Sequence, residues 1–170
     1  MYDEEKFLNA KDFIVSKTDI KGNIIYGNEI FISISGYEAE KLIGAKHNIV
    51  RHPDMPKAAF YLVWKTIQAK DEFFGFVKNL CADGKYYWVF ATISADLDSN
   101  GNIVSYTSVR RKPHYNAIPQ IKKIYSILSE IEKKEGLKSS LNQLSLTLSA
   151  IGAKYNDFII ELQKGKVYDF

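Results

Sequence analysis

The sequence predicts an α+β domain: a five-stranded antiparallel sheet with short helices on one face, then an α-helical hairpin or coiled-coil segment. Three observations lead there. Two β-branched runs, 13–16 and 24–26, flank a Gly-Asn turn, and three extended runs rich in Phe, Val and Tyr follow between 73 and 111, each bounded by Asp-Gly or Asn-Gly signals. Between these two groups the apolar residues take helical spacing. Beyond Pro113 the pattern is helical throughout. Strands gathered in blocks apart from helices are the mark of α+β rather than α/β architecture.

Each element has its own signal. Residues 1–12 read as a short amphipathic cap helix with Phe7 and Leu8 turned toward the domain. Phe13 to Tyr26 is a hairpin closed by Asp19-Ile20-Lys21-Gly22-Asn23. Asn28 is a helix N-cap ahead of Ile30, Phe31 and Ile34, and Gly36 ends that helix. Glu38 to Ile43 makes another helical turn, stopped by Gly44. Lys57 to Ala69 is a longer helix with Phe60, Leu62, Val63, Trp64 and Ile67 apolar. Residues 73–81, 86–95 and 102–111 are the three later strands, joined at Asp83-Gly84 and at Asp96 to Gly101. The expected boundaries are therefore 1–12, 13–112 and 113–170.

In the last segment, Asn116 to Glu135 carries Ile121, Ile124, Leu128 and Ile131, tolerates Pro119 in its first turn and stops at Gly136. A second helix is expected from Ser139 or Ser140, with Ser140 and Gln143 as a capping box. Leu141, Leu144, Leu148, Ile151, Tyr155, Phe158 and Leu162 then alternate at spacings of three and four, a seam for another helix. Further apolar residues at Leu146, Ala150, Ala153, Ile159 and Ile160 widen it beyond a two-stranded seam. Self-association or a helical partner is the expectation, with the folding back of both helices on their own sheet as the alternative. Gly152 lies inside this stretch, where a glycine costs a helix about 1 kcal/mol relative to Ala and permits close packing or a bend.

The most informative segment is His47-Asn48-Ile49-Val50-Arg51-His52-Pro53-Asp54-Met55-Pro56. Its two prolines forbid a strand and open a helix without continuing one. Arg51, His52 and Asp54 are side chains that recognise phosphate, ribose or a polar ring edge. Set in a stiff loop between apolar segments, they call for a ligand or a partner to satisfy them; the alternative is a helix-start loop in which Asp54 caps the next helix and Arg51 sits in water.

Composition narrows the function. Hydrophobic residues make up 46% and charged residues 25%, a globular balance. The 14% aromatic share suits a sheet core or an aromatic-lined pocket. A net charge of +3 with no basic stripe does not favour nucleic acid. Cys81 stands alone, which excludes an internal disulfide and a Cys-based metal site and fits a reducing cytosol. The acidic start has no signal-peptide pattern, and no apolar run approaches the roughly 20 residues of a membrane span. No phosphate loop, nucleophile elbow, carboxylate pair or third metal ligand near His47 and His52 is present, so neither catalysis nor a metal is expected.

Residues 13–112 resemble a PAS domain, and more narrowly the FAD-binding PAS sensors of bacterial aerotaxis and energy-taxis proteins of the Aer and CetB type. Ser35-Gly36-Tyr37, Gly44, His47-Asn48 and the run Val50 to Phe60 carry the likeness. Trp64, Val77-Lys78-Asn79, Asp83-Gly84, Tyr87-Trp88-Val89, Tyr106 and Arg110 also fit it.

The resemblance implies a non-covalent FAD. Arg51 would pair with a phosphate, His52 and Asp54 would position the ribityl or adenine portion, and Asn28 and Asn79 would serve the flavin uracil edge. Phe60, Trp64, Phe73 and Tyr87 are candidate walls, with core packing as the default reading of each, since a small sheet domain fills itself with such residues. Position 73 departs from the family, which commonly has a Trp whose N–H serves the cofactor; Phe73 has no donor. The implied protein is a cytoplasmic redox sensor, a homodimer through its helices. It would signal to a separate membrane chemoreceptor with a cytoplasmic signalling region and reach the membrane only through that partner. The alternative is a cofactor-free PAS dimerisation or interaction module.

Overall fold

A computed structural model describes residues 4–170. Five strands, β1 (Phe13–Thr18), β2 (Ile24–Gly27), β3 (Phe73–Leu80), β4 (Tyr86–Leu97) and β5 (Ile103–Arg111), form one sheet in the order β2-β1-β5-β4-β3. All neighbours are antiparallel, with Ser16 opposite Ser108 and Ala91 opposite Arg110. Helices α1 (Glu29–Ser35), α2 (Ala39–Leu42) and α3 (Lys57–Gln68) lie between β2 and β3 in the chain, with a 3-10 turn over His47–Val50. The C-terminal helices are α4 (Ala117–Glu135), α5 (Leu137–Ala150) and α6 (Tyr155–Gln163).

Local chemistry sets the turns. The loops after β1 and β4 repeat one device, Asp-x-x-Gly-Asn. Asp19 Oδ1 accepts from the N–H groups of Lys21 and Asn23, and Gly22 takes φ 81°. Asp98 Oδ1 accepts likewise from Asn100 and Asn102, with Gly101 at φ 80°. A short carboxylate reading its own backbone and a glycine free to adopt positive φ close each turn.

The alternation of each strand gives the sheet two apolar faces. On the inner face Ile14, Tyr87, Val89 and Ala91 pack with Ile24, Phe31, Leu42 and Val50. On the outer face Phe76, Trp88 and Phe90 pack with Ile121, Leu128, Leu144, Phe158 and Leu162 of the C-terminal helices. Short helices on one face, as expected, are thus joined by a second helical layer on the other. Those helices fold back onto their own sheet, the alternative weighed against a seam for another chain: three bulky aromatics on the outer face need cover, and the nearest cover is in the same chain.

The long second helix is also two helices. The chain leaves helical geometry after Ala150, Gly152 takes φ 64°, and α6 starts at Tyr155. This break swings Phe158, Ile159 and Leu162 into the sheet-facing core. Ser140 is not a cap but lies inside α5, which begins directly after Gly136.

The expected cap helix over 1–12 is absent from residues 4–12, and residues 1–3 lie outside the described chain. Lys6 N–H donates to Tyr86 O at 2.7 Å and Tyr86 N–H to Glu4 O at 3.0 Å, so the segment runs extended beside the start of β4. One marginal turn of isolated helix loses to such pairing. Leu8 is buried as expected; Phe7 is 74% exposed.

Candidate functional site

Between the inner face and α3 lies a cavity of about 260 Å³. Ser16 and Thr18 of β1, Val77 and Asn79 of β3, Ala91 and Ile93 of β4, and Tyr106, Ser108 and Arg110 of β5 reach it because they share the inward parity of their strands. Phe60, Val63, Trp64 and Ile67 close it from α3. Trp64 meets the Tyr106 ring edge-on at 5.5 Å, and its indole lies beside Gly22.

The proline-stiffened loop straddles the rim of the sheet and sends its side chains to opposite faces. Arg51 pairs its backbone with Asn79 of β3, which turns its side chain inward. There its guanidinium lies 3.9 Å over the Phe60 ring, and burial lowers its pKa. His52 and Asp54 go outward. Lys78 Nζ donates to Asp54 Oδ2 at 2.7 Å and holds that carboxyl below the usual carboxylate range. His52 Nδ1 accepts from Asp54 N–H at 3.1 Å, and the His52 ring meets Tyr86 edge-on.

The next helix is capped from far away. No side chain at Pro56 caps α3. Instead Glu132 of α4 accepts from Lys57 N–H at 2.8 Å and Ala58 N–H at 2.7 Å, and also from Ser140 Oγ. A carboxylate at a helix N-terminus meets both its free N–H groups and its dipole.

Of the residues expected to bind a cofactor, the structure brings Arg51, Phe60, Trp64 and Asn79 to the cavity. The others lie elsewhere. Asn28 Oδ1 accepts from Phe31 N–H and Val15 N–H while its Nδ2 donates to Phe13 O, so it caps α1 and pins that helix to β1. Phe73 stacks on Tyr155 of α6 at 5.8 Å, beyond the cavity wall, so the family Trp position is here a packing position. Tyr87 is fully buried on the inner face, and burial pushes its phenol well up. His52 and Asp54 face the C-terminal helices.

A linked group at the cavity, Arg110, Ser16 and His47, was not among the expected contacts. Arg110 lies on the floor, and burial pushes its pKa down to about 10. It donates to Ser16 Oγ, which lies 3.0 Å from His47 Nε2. The His47 ring stacks on Phe31 at 5.8 Å. Although His47 as a residue is only half-buried, its ring is shut in, and burial with the Arg110 charge pulls its pKa to about 3. The sequence carried one signal for this group: Tyr106, Ser108 and Arg110 place a cation at an inward parity where an apolar residue is the rule. No carboxylate lines the cavity among the described residues, against four cations, Lys21, Lys46, Arg51 and Arg110. Cys81 is buried, its thiol pushed up to about 11, and it donates to Ile34 O, the profile of an inert structural thiol.

A five-stranded antiparallel sheet enclosing a polar-floored cavity against short helices is the architecture of a PAS fold. The family model of the PAS fold matches residues 24–110, and the chain belongs to that family. It is 37% identical to the aerotaxis receptor of Escherichia coli (strain K12) over 116 residues, 68% of this chain and 23% of the receptor. It is 27% identical to the nitrogen fixation regulatory protein of Klebsiella oxytoca over 97 residues, 57% of this chain and 20% of that protein. The chain thus spans less than a quarter of these relatives. Among solved structures, a light-oxygen-voltage domain studied with a flavin analogue superposes with TM-score 0.57 at 24% identity, over 65% of this chain and 83% of that one. The light-state domain of the blue-light photoreceptor Aureochrome1 does so with TM-score 0.55 at 21% identity, over 73% and 91%. No helix among the described residues is long and apolar enough to cross a membrane.

Proposed function

We propose that this chain is a redox sensor whose PAS domain holds FAD non-covalently in the inner cavity and relays its redox state to the signalling region of a separate membrane chemoreceptor. The observation that carries this reading is Arg51: a guanidinium turned into an aromatic-walled cavity that no carboxylate lines. The likeness to an aerotaxis receptor over the same segment supports it. The residues present suit the group. Asn79 Nδ2 and Arg110 Nε are buried donors without partners, and Phe60 and Trp64 offer ring faces. A volume of about 260 Å³ suits a ring system, with the rest of the dinucleotide leaving past Lys21 and Lys46. When bound, the flavin supplies the electron-accepting chemistry; the protein binds it, orients it and excludes water.

Output runs through the C-terminal helices, where Ile127 and Leu146 remain exposed to meet a second copy or a receptor helix. On this reading the protein works in the cytoplasm and reaches the membrane through its receptor.

The test is the visible spectrum. The purified chain is expected to be yellow and to bleach with dithionite, and Arg51→Ala to lose the colour while its far-UV circular dichroism and melting transition persist. A colourless chain that takes up no added FAD overturns the reading. The outward or packed positions of His52, Asp54, Phe73 and Tyr87 favour a second reading, a cofactor-free interaction module. There Arg51→Ala changes no colour and lowers stability slightly.

A further inference from the structure

The outer face of the sheet carries a cavity of its own, a cleft of about 480 Å³ bounded by the end of β3, the start of β4, α4 and the loop at Pro53. Lys78 lines it, whereas its neighbours Val77 and Asn79 line the inner cavity, so the sheet separates the two. The floor is a cross-strand pair. Lys78 of β3 stands directly opposite Trp88 of β4, and both are buried, 7% and 4% exposed. Side chains so paired stand about 5 Å apart at Cβ. An ammonium has three donors and accepts nothing; Lys78 gives one to Asp54 Oδ2 at 2.7 Å, with Nζ 4.1 Å over the Tyr86 ring. The Trp88 indole N–H has no partner among the described residues. An indole nitrogen also only donates, so what this pair lacks is an acceptor. A phenylalanine at 88 would stack on Tyr125 as the indole does and leave no donor unmet.

The charges at the cleft set the kind of acceptor. Lys78, Lys122 and Lys133 line it against Asp54 and Glu130, three cations to two carboxylates, a balance that suits one negative charge and not several. Its volume lies in the range of small-molecule sites, and Tyr86, Trp88 and Tyr125 make its lining aromatic. We propose that this outer cleft is a binding site for a small aryl monocarboxylate, whose carboxylate accepts from Lys78 Nζ and Trp88 Nε1 while its ring packs against Tyr125 and Pro53. Charge-assisted hydrogen bonds are stronger in such a sheltered place than on open surface. Asp54 shares Lys78 with the guest and opposes it by like charge. The bound guest ties β3 and β4 to α4 on the side of the sheet away from the inner cavity, so this site stands whether or not that cavity holds a flavin.

The experiment titrates the isotope-labelled full chain with phenylacetate and follows the indole N–H signals of Trp64 and Trp88 by heteronuclear NMR, with Trp88→Phe to tell one from the other. The Trp88 signal is expected to shift and saturate while Trp64, at the inner cavity, holds still. Lys78→Met keeps the stem without the charge, and phenylacetamide is the neutral counterpart of the probe; each should weaken binding by about tenfold or more. Asp54→Asn removes the competing carboxylate and should tighten binding. A Trp88 signal that does not saturate, or that moves no more than Trp64, overturns the inference. So does equal affinity for phenylacetate and phenylacetamide, or a folded Lys78→Met that binds like wild type. If Lys78→Met does not fold, phenylacetamide and Asp54→Asn decide, and an affinity unchanged or weaker in Asp54→Asn overturns the site.

Discussion

His47 shows how one side chain acquires a pH dependence from its surroundings. Its folded pKa lies near 3 against 6.5 for a free imidazole, because burial and Arg110 both oppose the charged form. The unfolded ring therefore takes up a proton below pH 6.5 that the folded ring refuses. Stability from this residue is full above pH 6.5 and falls as pH drops through the window between the two values, by at most about 1.4 kcal/mol per pH unit. Urea denaturation at pH 7 and pH 5 should show a loss of up to about 2 kcal/mol from His47. His47→Asn should be less stable at pH 7 and should lack that component of the slope; an identical slope in the variant would show that other groups set it. The residue scale is also where sequence reading reached its limit. Asn28 was legible as a helix cap, because a cap is a relation between residues three apart. That Arg51 faces inward while His52 and Asp54 face outward was not, because it depends on which edge of the sheet the loop crosses. Arg110 disclosed its inward side only through strand parity.

At the scale of elements, the turn and cap residues made most boundaries legible. Gly36, Asp83-Gly84 and the two Asp-x-x-Gly-Asn turns each act within a few residues, so the chain announces them locally. Two features lay beyond that reach. One is the cap on α3, which comes from Glu132, 75 residues from Lys57. Glu132→Ala should destabilise the fold by about 1–2 kcal/mol in urea denaturation, and Glu132→Gln by less, since an amide oxygen still accepts. The other is the break between α5 and α6. Apolar spacing runs straight through Gly152 because both helices bury the same kind of face. At φ 64° with open space around the position, Gly152→Ala meets no clash but pays for a left-handed backbone, and should cost about 1 kcal/mol. In an unbroken helix the same substitution would stabilise by a similar amount. The sign of the change in thermal midpoint, read by circular dichroism, therefore tells a break from a continuous helix.

For the whole molecule, the decisive feature is a sheet covered on both faces by one chain. Phe158 is 1% exposed and sits in the cluster that contains Phe76, Trp88 and Phe90 of the sheet. Phe158→Ala should cost about 3–5 kcal/mol. The loss should appear in a single transition followed equally by tryptophan fluorescence and far-UV circular dichroism. Two separated transitions would mean that the C-terminal helices melt on their own and that the shared core does not couple them to the sheet.

The loop from Arg51 to Asp54 has a mechanical consequence. A sheet is a poor conduit between its faces, since each strand holds its two sets of side chains rigidly apart. Here the two faces are joined around the rim by a tether only three peptide bonds long, stiffened by Pro53. Arg51 stands at one end of it, the Asp54–Lys78 contact at the other, and just beyond lies the first turn of α3 that Glu132 grips. The border loop thus ties the inner cavity to the outer helical layer without passing through a strand.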